Sequence, residues 1–213
     1  MRAVASQVLK VAIGLGVGAA FFAAPAFAGT MSEVVDICSD PLSTGLQKRD
    51  LFAISGWAPL ASDATPALTD LATALVIGFT MGMPDLEERF GLASVLAGNF
   101  AAMTDKGAMT LWSRDGAVLA LNIDKTPEGG EHMACYFAMP PSDETFEIAR
   151  VYGEPEVLPE LELMAVRFDE TAIRFQPDVE YQMFSTWTRL TSDPLRTPLT
   201  DAYRLERIEI QPK

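Results

Sequence analysis

Residues 108–124, AMTLWSRDGAVLALNID, and residues 131–139, EHMACYFAM, decide the fold. Two extended runs flank Asp115-Gly116, and Asp-Gly accepts the positive φ angles of a type I′ turn, so the spacing predicts a tight hairpin of 108–114 with 117–124. The turn residues 126–130, TPEGG, lead into a third strand over 131–139. Side chains alternate along a strand, which puts Met133, Cys135, Phe137 and Met139 on one face and His132, Ala134, Tyr136 and Ala138 on the other. Downstream, Ser142 caps a helix with acids in its first turn that runs to Tyr152 and stops at Gly153-Glu154-Pro155. Extended segments follow at 161–168, 172–175, 179–189 and 201–210, with 191–198 as a proline-bearing loop. Strands in runs, rather than strict βαβ alternation, predict an antiparallel sheet.

Upstream of the hairpin the period is helical. Short helices are expected at 31–38 and 46–54, the second ending at Ser55-Gly56-Trp57-Ala58-Pro59. Residues 66–82 place Leu68, Leu71, Leu75 and Phe79 on one face, widened by Ala72 and Val76. Asp85 opens another helix, with Glu87 and Glu88 where the dipole favours negative charge and Leu86, Phe90, Ala93, Ala97 and Phe100 on one face. Gly91, Ser94 and Gly98 form a small-residue stripe suited to close helix approach, as do Gly78 and Gly82 on the preceding helix, so the two are expected to pair as an antiparallel hairpin. The predicted fold is α+β: one domain over 29–213. Its N-terminal helical layer, 29–104, packs on an antiparallel sheet of about six strands with one inserted helix, 105–213.

Residues 1–28, MRAVASQVLKVAIGLGVGAAFFAAPAFA, read as a secretory signal peptide. Arg2 and Lys10 supply the positive end, residues 11–24 the apolar region, Pro25 a helix break, and Ala26-Phe27-Ala28 the small-residue cleavage pattern. The mature chain then begins at Gly29 and is periplasmic or secreted. Cys38 and Cys135 are the only cysteines, and in an oxidising compartment such a pair is expected to form a bridge. Closing a loop of about a hundred residues stabilises by about 4 to 5 kcal/mol in the chain-entropy model.

Acidic residues outnumber basic ones 29 to 16, a net charge of −13, and removal of Arg2 and Lys10 with the leader makes the balance more negative still. Phosphate backbones and anionic lipid surfaces attract Lys and Arg, so nucleic acid and, after signal cleavage, membrane are excluded as expected partners. Another envelope protein or a small ligand remains.

Chemistry-bearing patterns are sparse. The single histidine, His132, has Asp124, Glu128 and Glu131 nearby, but these acids sit in and around a Gly-rich turn without calcium-loop spacing. His132-Met133-Ala134-Cys135, with Met139 and with Met81-Gly82-Met83, carries soft copper-type ligands. Alternation separates His132 from Met133, however, and Cys135 is committed to the bridge. No G-x-S-x-G, S-x-x-K or H-E-x-x-H occurs. Glu154, Glu156, Glu160 and Glu162 read as a solvated linker face. Trp57, Trp112 and Trp187 are expected in the core, with Trp112 the first to test for exposure. Neither cofactor nor metal is expected, and no catalytic residue is assigned. The expected function is a non-catalytic accessory or interaction protein; the alternatives are a small-ligand binder with a pocket between helices and sheet, and a carboxylate-based hydrolase. An exposed apolar patch, a closed apolar cavity or two close acids in a cleft would distinguish the three.

Overall fold

The computed structural model describes residues 29–79, 85–149, 156–157, 165–176, 179–190 and 196–210. The leader 1–28, the Met81-Gly82-Met83 stretch and Glu154, Glu160 and Glu162 lie outside the described residues. The chain runs α1 (Thr30–Ser39), α2 (Gly45–Ile54), β1 (Ala58–Leu60), α3 (Thr65–Phe79), α4 (Leu86–Asp105), β2 (Met109–Arg114), β3 (Ala117–Lys125) and β4 (Glu131–Met139). It continues with α5 (Asp143–Ala149), β5 (Glu156–Val157), β6 (Ala165–Gln176), β7 (Val179–Leu190) and β8 (Asp201–Ile210). The class is α+β.

Six long strands and two short edge strands form one sheet in the order β1-β2-β3-β4-β8-β7-β6-β5, antiparallel throughout. Two four-stranded meanders meet where β4 pairs with β8, and α5 lies on the connection between them. Asp115 at φ 52° and Gly116 at φ 82° make the predicted hairpin turn. The edge strands escape the sequence reading because each is only two or three residues long: β1 follows a helix-stop signal, and β5 holds Glu156, read above as linker. The runs at 161–168 and 172–175 give one continuous strand, β6, over the part described.

The helices do not form one layer. On one face, α1, α2 and Trp57 pack over Trp112, Leu119, Leu121, Met133, Phe137, Tyr203 and Leu205. On the other, α3 and α4 pack over Met109, Leu111, Val118, Ala120, Ala138 and Ala202. The sequence shows why both faces of the central strands are covered: Ala117 to Asn122 are all buried, a continuous run rather than an alternation. The sheet's aromatic residues Trp112, Phe137, Trp187 and Tyr203 take the α1/α2 side, while Ala120, Ala138 and Ala202 take the α3/α4 side beside Met109, Leu111 and Val118.

Asp85 caps α4 as expected, its carboxylate accepting from Glu87 N–H at 2.9 Å and Glu88 N–H at 3.4 Å. α3 and α4 share one core through Leu68, Leu71, Leu75, Ala93, Ala97 and Phe100. The small stripe does not mediate that contact. Gly91, Ser94 and Gly98 are exposed, and nothing lies within 4 Å of where a Cβ would stand on either glycine. The wider apolar face of Phe90, Ala93, Ala97 and Phe100 buries more area and takes the interior instead.

Candidate functional site

α2 buries one large apolar side chain, Phe52, and turns Leu46, Leu51 and Ile54 outward. Thr44 caps it: the Thr44 hydroxyl accepts from Gln47 N–H at 3.3 Å, while the Gln47 side-chain oxygen accepts from Thr44 N–H at 2.8 Å. The inner face consists of Gly45, Lys48 and Phe52, one residue per turn. Gly45 is required by close approach, since a Cβ there would come within 2.9 Å of Ile123 Cγ1. Phe52 packs between Trp57 and Trp112, with ring centroids 5.9 and 5.6 Å away. The outer face shows Leu46, Leu51 and Ile54, which are 53, 37 and 80% exposed, and Leu42 just before the helix is 76% exposed. Single exposed leucines are ordinary; here four large apolar side chains stand exposed on one short segment, interleaved with the exposed Gln47, Arg49 and Asp50.

The helix is rigidly seated despite that outward face. Lys48, 0% exposed, donates from Nζ to the carbonyls of Ile37 at 2.7 Å and Asp40 at 2.5 Å, closing the C-terminal end of α1. Beside it, Arg207 donates to Glu131 Oε1 at 2.6 Å and to the Ser43 carbonyl at 2.8 Å, and its guanidinium lies over the Tyr181 ring. Glu131 also accepts the Gly45 N–H at 3.1 Å. At the other end of α2, Arg114 grips Glu33 through two hydrogen bonds, at 3.0 and 2.8 Å, and reaches the Ser55 carbonyl at 3.0 Å.

Burial, reinforced by the positive charge of Arg207, pushes the Lys48 amine down from 10.5 to about 7, against the opposing pull of Asp40 and Glu131. A neutral amine still has two N–H groups for its two carbonyls. Between pH 7 and 10.5 the unfolded chain therefore holds a proton that the native chain has released, so stability rises with pH in this window. We expect a gain of about 1 kcal/mol per pH unit between roughly pH 7.5 and 9. Chemical denaturation at a series of pH values checks it, and Lys48→Met is expected to flatten that slope; an equal slope in both proteins contradicts the assignment.

The residues singled out by sequence fall as follows. Cys38 and Cys135 are bonded at 2.04 Å in the α1/α2 core, both fully buried. Strand alternation separates His132 from Met133, as expected: His132 pairs across to Asp124, while Met133 is buried in the α1/α2 core. Glu131 is drawn to Arg207 and Gly45. Among the described residues no three His, Cys, Asp or Glu side chains are placed to hold a metal ion, and no helix is long and apolar enough to cross a membrane. All three tryptophans are buried, Trp112 included, because Phe52 covers the face it presents. An open groove of about 260 Å3 lies on β7 and β8, lined by Phe184, Thr186, Arg204 and Glu206, the last two ion-paired.

Sequence reasoning missed the Lys48–Arg207–Glu131 cluster, the Glu33–Arg114 pair and the outward turn of Leu46 and Ile54. A signal was present for one of them: Gly45, Lys48 and Phe52 recur at helical spacing on one stripe. The arrangement is that of an α+β sheet covered on both faces, with a clamped helix, α2, whose outer side shows Leu46, Leu51 and Ile54. The chain matches no known protein family, no curated protein and no solved structure.

Proposed function

We propose that this chain is an exported, non-catalytic accessory protein that docks a partner protein through the outer face of α2. The observation that carries this reading is the ridge of Leu42, Leu46, Leu51 and Ile54 on a helix whose inner face buries a lysine. Apolar side chains of that size placed outside, with a polar amine placed inside, raise the cost of the free state unless something covers the ridge. A net charge of −13 favours a partner whose apolar groove has a basic rim. Docking of a helix into such a groove is a common recognition mode. The ridge is short, which suits a transient interface of less than about 1,200 Å2 in total. Export is supported by the leader pattern of 1–28 and by the disulfide.

The groove at Phe184 is smaller than the roughly 300 to 1,000 Å3 usual for small-molecule sites, and its two charges already satisfy each other. It therefore weighs less than the ridge.

The test places a photo-crosslinking residue at position 54 of the chain expressed with its leader and compares it with the same chain carrying Leu46→Glu. We expect the parent to capture one protein reproducibly, the variant to lose at least about tenfold of that capture, and thermal stability to change little, since position 46 faces solvent. Equal capture by both forms sinks α2 as the surface. Absence of any captured protein sinks the interaction reading.

A further inference from the structure

The N-terminus of α1 is capped by a side chain from a distant element. Gly29 holds the N-cap position and has no side chain to offer, so the donors at the start of the helix need another acceptor. Glu144, in the first turn of α5, supplies it: its carboxylate accepts from Ser32 N–H at 2.7 Å and from Met31 N–H at 3.3 Å. The carboxylate stands where a cap side chain would be, and a Cβ on Gly29 would overlap it. The nitrogen and the Cβ position of one residue are only about 2.5 Å apart, so the Gly29 nitrogen lies within about 5 Å of the same carboxylate.

Gly29 is also the residue that the leader pattern makes the first of the mature chain. We propose that cleavage after Ala28 creates the ion-pair partner of Glu144, the Gly29 ammonium, so that maturation itself fastens α1 to α5. The inference rests on the export reading above. Hydrolysis adds water across the Ala28–Gly29 amide: the Ala28 carbonyl carbon takes the hydroxyl, the Gly29 nitrogen takes a proton, and the amine then takes a second proton from solvent. A neutral amide nitrogen thereby becomes a cation. Alone at a helix N-terminus a cation opposes the helix dipole. With Glu144 against both the helix donors and the amine, the carboxylate attracts each of them, and an opposite charge at about 4 to 6 Å favours the ionised amine. Glycine is the residue that permits this approach, because any side chain at position 29 would displace the carboxylate.

The experiment uses the full chain expressed with its leader and recovered after export. The mass of the product identifies its first residue. Its α-amine is then acetylated under conditions that spare lysine, which the lower pKa of the α-amine allows. Acetylation is expected to lower Tm by about 2 to 4 °C in the parent. It is expected to leave Tm unchanged or to raise it slightly in Glu144→Gln, whose amide oxygen still accepts from Met31 and Ser32 but leaves the ammonium unpaired against the helix dipole. A product beginning at Gly29 whose Tm ignores acetylation, or falls equally in both proteins, overturns the pairing alone. A product that retains residues 1–28 overturns the export reading and the pairing with it. If Glu144→Gln does not fold, one serine inserted between Ala28 and Gly29 moves the amine by about 3.8 Å and is expected to cost the same 2 to 4 °C; an unchanged Tm there overturns the proposal.

Discussion

Reduction of the Cys38–Cys135 bridge is expected to lower stability by about 4 to 5 kcal/mol, the largest single effect in this protein. The bridge closes a loop of 97 residues and joins α1 to β4, a central strand of the sheet. In the chain-entropy model its main action is on the unfolded ensemble, which loses conformational freedom when two distant points are tied. Both cysteines are fully buried, so replacing them with alanine would add a packing loss to the entropic one. Reduced wild-type protein isolates the entropic part. Urea unfolding of oxidised and reduced protein is expected to show a midpoint lower by roughly 2 M on reduction, taking an m value near 2 kcal/mol/M. A difference below about 1 kcal/mol would mean that the packing of α1 alone holds it to the sheet.

Asp201→Ala is expected to destabilise by about 3 to 5 kcal/mol. Asp201 is fully buried at the start of β8 and binds Arg189 of β7 through both oxygens, at 2.8 and 2.6 Å. The same carboxylate accepts from the Thr145 hydroxyl at 2.5 Å and from Ser142 N–H at 2.9 Å, which pins the start of α5 to the sheet. Removing it takes the counter-charge from a largely buried guanidinium and the acceptor from the Ser142 N–H and the Thr145 hydroxyl. Arg189→Met together with Asp201→Ala is expected to be less damaging than Asp201→Ala alone, because no buried charge then remains to be compensated. Thermal denaturation of both single variants and the double completes the cycle; additive losses would show that the ion pair is not the source of the effect.

The two effects belong to different kinds of information. The bridge was readable beforehand because the chain has only two cysteines, which leave one pairing. The Asp201 network was not, since Asp201 and Thr145 are far apart in sequence and only the return of β8 beside β4 brings α5 onto the sheet.

Local chemistry settled the elements. Asp115-Gly116 imposes its own backbone angles, Asp85 and Ser142 accept from N–H groups two or three residues ahead, and alternation separates His132 from Met133 without reference to the rest of the chain. These determinants act within a few residues, so sequence alone carries them, together with the α+β class. Which face of α2 turns inward was decided elsewhere. Leucine belongs inside by transfer free energy, yet the carbonyls of Ile37 and Asp40 at the end of α1 need a donor, and the Lys48 amine reaches both. Once Lys48 and Phe52 are anchored, helix geometry sends Leu46 and Ile54 into solvent. The distribution of helices over both sheet faces, and the seat of Glu144 on the first turn of α1, arise in the same way. Each depends on groups that meet only after the two meanders have joined, and an unmet buried donor or acceptor costs more than an exposed leucine.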